Sequence, residues 1–129
     1  MNAQIDSAEC IRLEKIIFDS GSSAGRDESF DITPEFAGEI DSLFYLISNP
    51  PKPENADTAE NLKVYISFIV DSSGNTGCFR IEQNIIPVYD SAALKYLSGL
   101  KLKFIPGKKY YKGKYKAAPF RMIMPVLFK

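Results

Sequence analysis

The sequence predicts an α+β fold, a three-stranded antiparallel sheet packed on two helices, with an extra N-terminal element. Three observations predict it. A strand pattern over residues 63–71 turns at Asp71-Ser72-Ser73-Gly74-Asn75 and returns over 78–83, which reads as a hairpin. Apolar residues at helical spacing stand on either side of that hairpin. The chain then closes on a period-two run, in which Phe120, Met122, Met124, Val126 and Phe128 alternate with Arg121, Ile123, Pro125 and Leu127 before Lys129.

In chain order, residues 1–32 form an N-terminal segment, partly flexible, ahead of a domain at 33–129. Within that segment, 11–18 (IRLEKIIF) fits a strand or a short helix, its apolar positions matching neither period cleanly. The small polar residues 19–25 read as a flexible loop. Phe36, Ile40, Leu43, Phe44 and Ile47 share one face of a helix, with Thr33 as N-cap and Pro34 at its first position. Pro50-Pro51 ends it, since proline cannot continue a helix. In the first hairpin strand Val64, Ile66, Phe68 and Val70 point one way, and Tyr65, Ser67 and Ile69 the other. Asp90 or Ser91 caps a short helix whose apolar face holds Ala92, Ala93, Tyr96 and Leu97. Pro106-Gly107 is a turn signal. Pro125 assigns the last strand to a sheet edge or a bulge.

Length and composition bound the function. At 129 residues the chain is one domain with a real core, and its 45% apolar content is ordinary for a globular protein. No apolar run approaches the ~20 residues that span a bilayer, so direct membrane insertion is not expected. The N-terminus has no basic region followed by an apolar one, hence no intact signal peptide. Asn2-Ala3-Gln4 reads either as the remnant of a small-residue cleavage site or as a short polar N-terminus. Charge is divided sharply: residues 1–90 hold 6 basic and 16 acidic side chains, and 91–129 hold 10 basic and none acidic. The two halves either cancel by folding together or leave a surface for a charged partner. The default for Cys10 and Cys78 is two reduced thiols; a bridge, the alternative in an oxidising compartment, would tie the N-terminal segment to the domain.

Little in the chain suggests catalysis. It has no histidine, the commonest general base and metal ligand. The cysteines lack zinc-site spacing, and no phosphate-binding glycine motif occurs. The pair Asp27-Glu28 reads as solvated. No enzyme, metal or cofactor is expected. The segment with Lys108, Lys109, Tyr110, Tyr111, Lys112, Lys114, Tyr115 and Lys116 combines charge with stacking surfaces, a basic contact loop that would suit single-stranded nucleic acid. The plainer reading is a hairpin whose tyrosines pack sideways while its lysines keep the edge soluble.

Four stretches together resemble the TonB C-terminal domain in its Bacteroidetes form. PEFAGEIDSLFYLISN (34–49) is similar to that family's helix entry, with Ala37 at a usual proline and Glu39 at a usual glycine. KVYISFIVDSSGN (63–75) is similar to its hairpin, with Leu62 at the usual glycine. YDSAALKYLSGLKLKFIPGKKYYKG (89–113) resembles its second helix and turn, with Phe104 at the tryptophan position; FRMIMPVLFK (120–129) resembles its closing strand. Lys52-Pro53 stands at the family's Tyr-Pro. The resemblance covers 34–129. It implies a periplasmic or cell-envelope module that binds an extended peptide, such as the TonB box of an outer-membrane transporter, by strand addition on 120–129. The alternative is a free-standing interaction domain of the same fold with no transport role, or one self-paired as a homodimer. The chain as given lacks the family's transmembrane helix and proline-rich spacer, so coupling to the inner-membrane motor is not expected of it alone.

Overall fold

The computed structural model describes residues 5–20, 30–53 and 61–129, and the fold is α+β. The tripeptide 2–4, most of the 19–25 loop and the pair Asp27-Glu28 lie outside the described residues.

The chain begins with helix α1 (Ser7–Ser20). The ambiguous 11–18 segment is therefore helical, and the signal lies just upstream. Asp6 accepts the Glu9 backbone N–H at 2.8 Å, and the Cys10 N–H donates to the Asp6 carbonyl, an N-cap written in the sequence as Asp-x-x-Glu. Strand β1 (Glu35–Phe36) and helix α2 (Ile40–Ile47) follow. The helix starts six residues after the expected Pro34, because Glu35 and Phe36 are extended and pair with β4 (Phe104–Ile105). Gly38 sits against the Phe36 ring, and Glu39 is the N-cap, with no side-chain hydrogen bond. The proline rule found the stop but misplaced the start.

The main sheet holds β2 (Leu62–Val70), β3 (Thr76–Ile81) and β7 (Phe120–Phe128) in the order β3-β2-β7, all antiparallel. Pro125 thus lies in an edge strand, where a missing N–H is tolerated. Between β2 and β7 every residue is in register, from Leu62 opposite Phe128 to Val70 opposite Phe120. Against β3 the register slips by one residue between Ser67 and Ile69, and Cys78, at φ 58, occupies the bulge. Helix α3 (Pro87–Gly99) has Ile86 as its N-cap, not the expected Asp90 or Ser91, with proline in its first turn. Asp90 is instead buried within that first turn and accepts the Ile85 N–H at 3.0 Å. The segment 108–117 forms a second hairpin, β5 (Lys108–Tyr111) and β6 (Lys114–Ala117).

The sheet's two faces are covered differently. Val64, Ile66, Phe68, Val70, Val126 and Phe128 pack against Leu43 and Ile47 of α2 and Tyr89, Ala93 and Leu97 of α3, forming the core. Phe68 stacks on Phe79 and meets Phe104, while Tyr89 lies edge-on to Phe128. On the opposite face Ser67 and Ile69 are both fully buried, which a bare sheet face could not achieve. Helix α1 covers them through its buried Leu13, its ion pair from Glu14 to Arg121, and a disulfide from Cys10 to Cys78. The default of two reduced thiols is thereby corrected. The bulge turns Cys78 towards α1 and brings the two Cα atoms to 5.6 Å, within bonding range.

Candidate functional site

The strand singled out in the sequence is an edge with a groove beside it. β7 bonds to β2 on one side; among the described residues nothing pairs with its other side. Along that open side runs a groove of about 530 Å³. Met122, Ile123, Met124 and Pro125 on the edge of β7 border it on one side, Ile40, Leu43, Phe44 and Ile47 of α2 on the other, and Pro34, Phe36 and Phe104 at its end. Phe36 and Phe104 meet edge to face at 5.8 Å, so the short β1-β4 ladder fixes the end wall.

Strand register decides what each β7 side chain can offer. Residues opposite one another in an antiparallel pair share a face. Phe120, Met122, Met124, Val126 and Phe128 therefore join the core face, and Arg121, Ile123, Pro125 and Leu127 the α1 face. Val126 and Phe128 are buried, so they could meet a partner only through their backbone. Phe120 lies beneath the Lys109 ammonium and against Gly107. Ile123 is 61% exposed at the strand's centre, an unusual exposure for a large aliphatic side chain. Lys129 is exposed beyond the strand's end.

Sequence reasoning missed α2's part in this site. It gave Ile40 and Phe44 the same core-facing role as Leu43 and Ile47. The structure buries only the latter pair and leaves Ile40 53% and Phe44 56% exposed along the groove. An apolar stripe wider than the core requires was the available signal.

Arg121 is engaged by structure instead of being held out for a partner. It pairs with Glu14 and donates to the buried Ser67 hydroxyl at 3.2 Å. Glu82 lies on the same network, and its carboxyl is held below the usual value near 4.5, first by a hydrogen bond from Ser67 and then by one from Arg80. A carboxylate whose folded value is depressed adds stability above its unfolded value and loses it as pH falls through the folded one. Comparing Glu82→Gln with the parent across an acid titration of thermal midpoint should therefore show a small deficit near neutrality that closes in acid. A deficit independent of pH would mean that Glu82 acts by packing.

The lysine–tyrosine segment lies apart from the groove but adjoins the start of β7. Backbone bonds between Lys108 and Ile32, and a bond from the Tyr110 N–H to the Asp31 carboxylate, moor it. Tyr110 sits between Phe30 and Tyr115, with ring centroids 5.0 and 5.2 Å away, as the sideways-packing reading expects. Tyr111, Lys112, Lys114, Tyr115 and Lys116 are exposed.

Among the described residues no three His, Cys, Asp or Glu side chains are grouped to hold a metal ion, and no helix is long and apolar enough to cross a membrane. No family model, curated protein or solved structure matches the chain.

Proposed function

We propose that this chain is a cell-envelope binding module that takes an extended peptide of a partner protein onto the open edge of β7. It would work as the TonB C-terminal domain does, whose motifs its sequence resembles. The observation that carries the reading is the pairing of a nine-residue edge strand, unpartnered among the described residues, with an apolar groove along the same edge. An added strand gains main-chain hydrogen bonds from the edge, and its alternate side chains fall to opposite faces. One set would enter the groove between Ile40, Phe44 and Met124; the other would lie beside Ile123 and Pro125. A partner with apolar residues at alternate positions fits both. The disulfide supports an oxidising compartment such as the periplasm. A transporter of the outer membrane is the partner that the resemblance suggests.

Titrating isotope-labelled protein with TonB-box-like and alternating apolar peptides tests this. Amide shifts should concentrate on residues 120–129 and on α2, and shifts scattered over the surface would reject strand addition. Phe44→Ser should weaken peptide binding about tenfold, the loss of roughly 1.4 kcal/mol of buried apolar contact. Its thermal midpoint should stay near the parent's, because Phe44 is half exposed in the free protein.

The alternative is an interaction domain with no transport role, self-paired through β7. The exposed Ile123 favours it as much as it favours a peptide. Concentration-dependent dimerisation that competes with peptide would select it.

A further inference from the structure

We infer that the β5–β6 hairpin is a second binding surface, for an anionic lipid headgroup layer, that lets the protein lie against a membrane without entering it. This goes beyond the peptide site and does not depend on it. Three features of the hairpin carry the inference.

The first is a placement of charge that works against the hairpin's own stability. Lys109 and Lys116 are direct cross-strand partners, and Tyr111 with Lys114 extends the same face. Like charges opposite each other destabilise a two-stranded ladder. Among the described residues no carboxylate forms an ion pair with Lys112, Lys114 or Lys116. A purely structural hairpin would gain from an acidic residue at any of these positions, yet none occurs from Ser91 to Lys129.

The second is the tip. Lys112 at φ 49 and Gly113 at φ 81 make the two-residue turn of a hairpin with both central residues left-handed. The first central position favours asparagine, aspartate or glycine, and a lysine there is strained. The strained position holds a charge at the furthest reach of the hairpin.

The third is the use of the rings, which distinguishes a lipid layer from nucleic acid. Base stacking needs an open aromatic face. Tyr110 is enclosed by Phe30 and Tyr115, and Tyr111 already carries the Lys112 ammonium 5.2 Å from its ring centroid. Tyr111 and Tyr115 nevertheless remain 45% and 49% exposed. Partly exposed rings with polar ends, set among lysines, suit the headgroup level of a bilayer, where tyrosine has one end apolar and the other wet. Lysines beside them gain from the negative potential of anionic lipids.

The test is co-sedimentation of the full chain with vesicles of phosphatidylcholine alone and of equimolar phosphatidylcholine and phosphatidylglycerol, at low and high salt. Binding is expected only to the anionic vesicles, with release at high salt. The triple variant Lys112→Gln, Lys114→Gln, Lys116→Gln should bind about a hundredfold more weakly, given what each lysine gains near such a surface. Tyr111→Ser with Tyr115→Ser should also weaken binding although the charge is unchanged. All five side chains are exposed, so far-UV circular dichroism should confirm that the variants fold. Failure to bind anionic vesicles, or equal binding by the triple variant, would overturn the inference. So would a single-stranded oligonucleotide or a glutamate-rich peptide that binds through these lysines while vesicles do not. Peptide titration of β7 on the same triple variant should be unaffected, which keeps the two surfaces experimentally separate.

Discussion

Replacing Cys78 with serine, or reducing the bridge to Cys10, should lower the thermal midpoint by about 10–15 °C. The bridge joins residues 68 apart in sequence, and a cross-link of that span restricts the unfolded chain by about 4 kcal/mol in the chain-entropy description. For a domain of this size each kcal/mol moves the midpoint by about 3–4 °C. The loss should also be local. Beyond the bridge, the contacts that hold α1 and the residues before it include buried Leu13, the ion pairs of Glu14 with Arg121 and Arg80, and a backbone bridge of Ile5 to Gly77. Once it is cut, α1 should lift from the sheet more often and expose Ile69 and Ser67. Hydrogen exchange should then accelerate in α1 and at the centre of β2, while α2 and α3 stay protected. A midpoint that barely moves, with α1 still protected, would show that packing alone holds the helix.

Gly74→Ala should cost about 3 kcal/mol, read as a fall in the urea midpoint at unchanged slope. Gly74 has φ +86, a conformation that strains any other residue by roughly 1–2 kcal/mol. A Cβ there would also overlap the Phe104 carbonyl oxygen, and this neighbour is backbone with little room to give. Overpacking of that kind adds roughly 1–3 kcal/mol. The Phe104 N–H donates to the Gly74 carbonyl at 3.1 Å, and Thr76 donates its hydroxyl to the Leu102 carbonyl at 2.9 Å, so the β2–β3 turn is docked on the strand carrying Phe104. Displacing Phe104 should disturb the end wall of the groove. Gly74→Ala is therefore also expected to weaken peptide binding, unlike a core substitution far from β4. A loss near 1 kcal/mol with peptide binding intact would mean that the turn shifts freely and that only the backbone conformation is at stake.

The periodic elements were legible because their signals are local. Strand β2 could be read from alternation alone, its hairpin from the Asp-Ser-Ser-Gly-Asn turn, and from Pro125 an edge or a bulge in β7, of which the sheet order selects the edge. The same local reasoning misjudged α2 and α3 at their starts. Pro34 is a good first helical residue, yet the two residues after it pair with Ile105 and Phe104, some seventy positions away, and no local rule contains that pairing. In α3 the proline signal lies at Pro87, ahead of Asp90 and Ser91, which are acceptable caps, and folding buries Asp90 within the first turn.

By itself, then, the sequence determined the α+β class, the hairpin, a closing strand placed at an edge or carrying a bulge, and the lack of histidine. These depend on residue spacing and on composition, which need no neighbour to be meaningful. Only the tertiary structure decided that α1 covers the part of the sheet's second face that holds Ser67 and Ile69. Only it showed that Cys10 and Cys78 meet and that Ile40 and Phe44 line a groove. Each of these is a contact between residues distant in sequence, or the exposure that such contacts leave behind. Chain packing sets both, because burial of one side of α2 against the sheet determines which of its apolar residues remain for a partner.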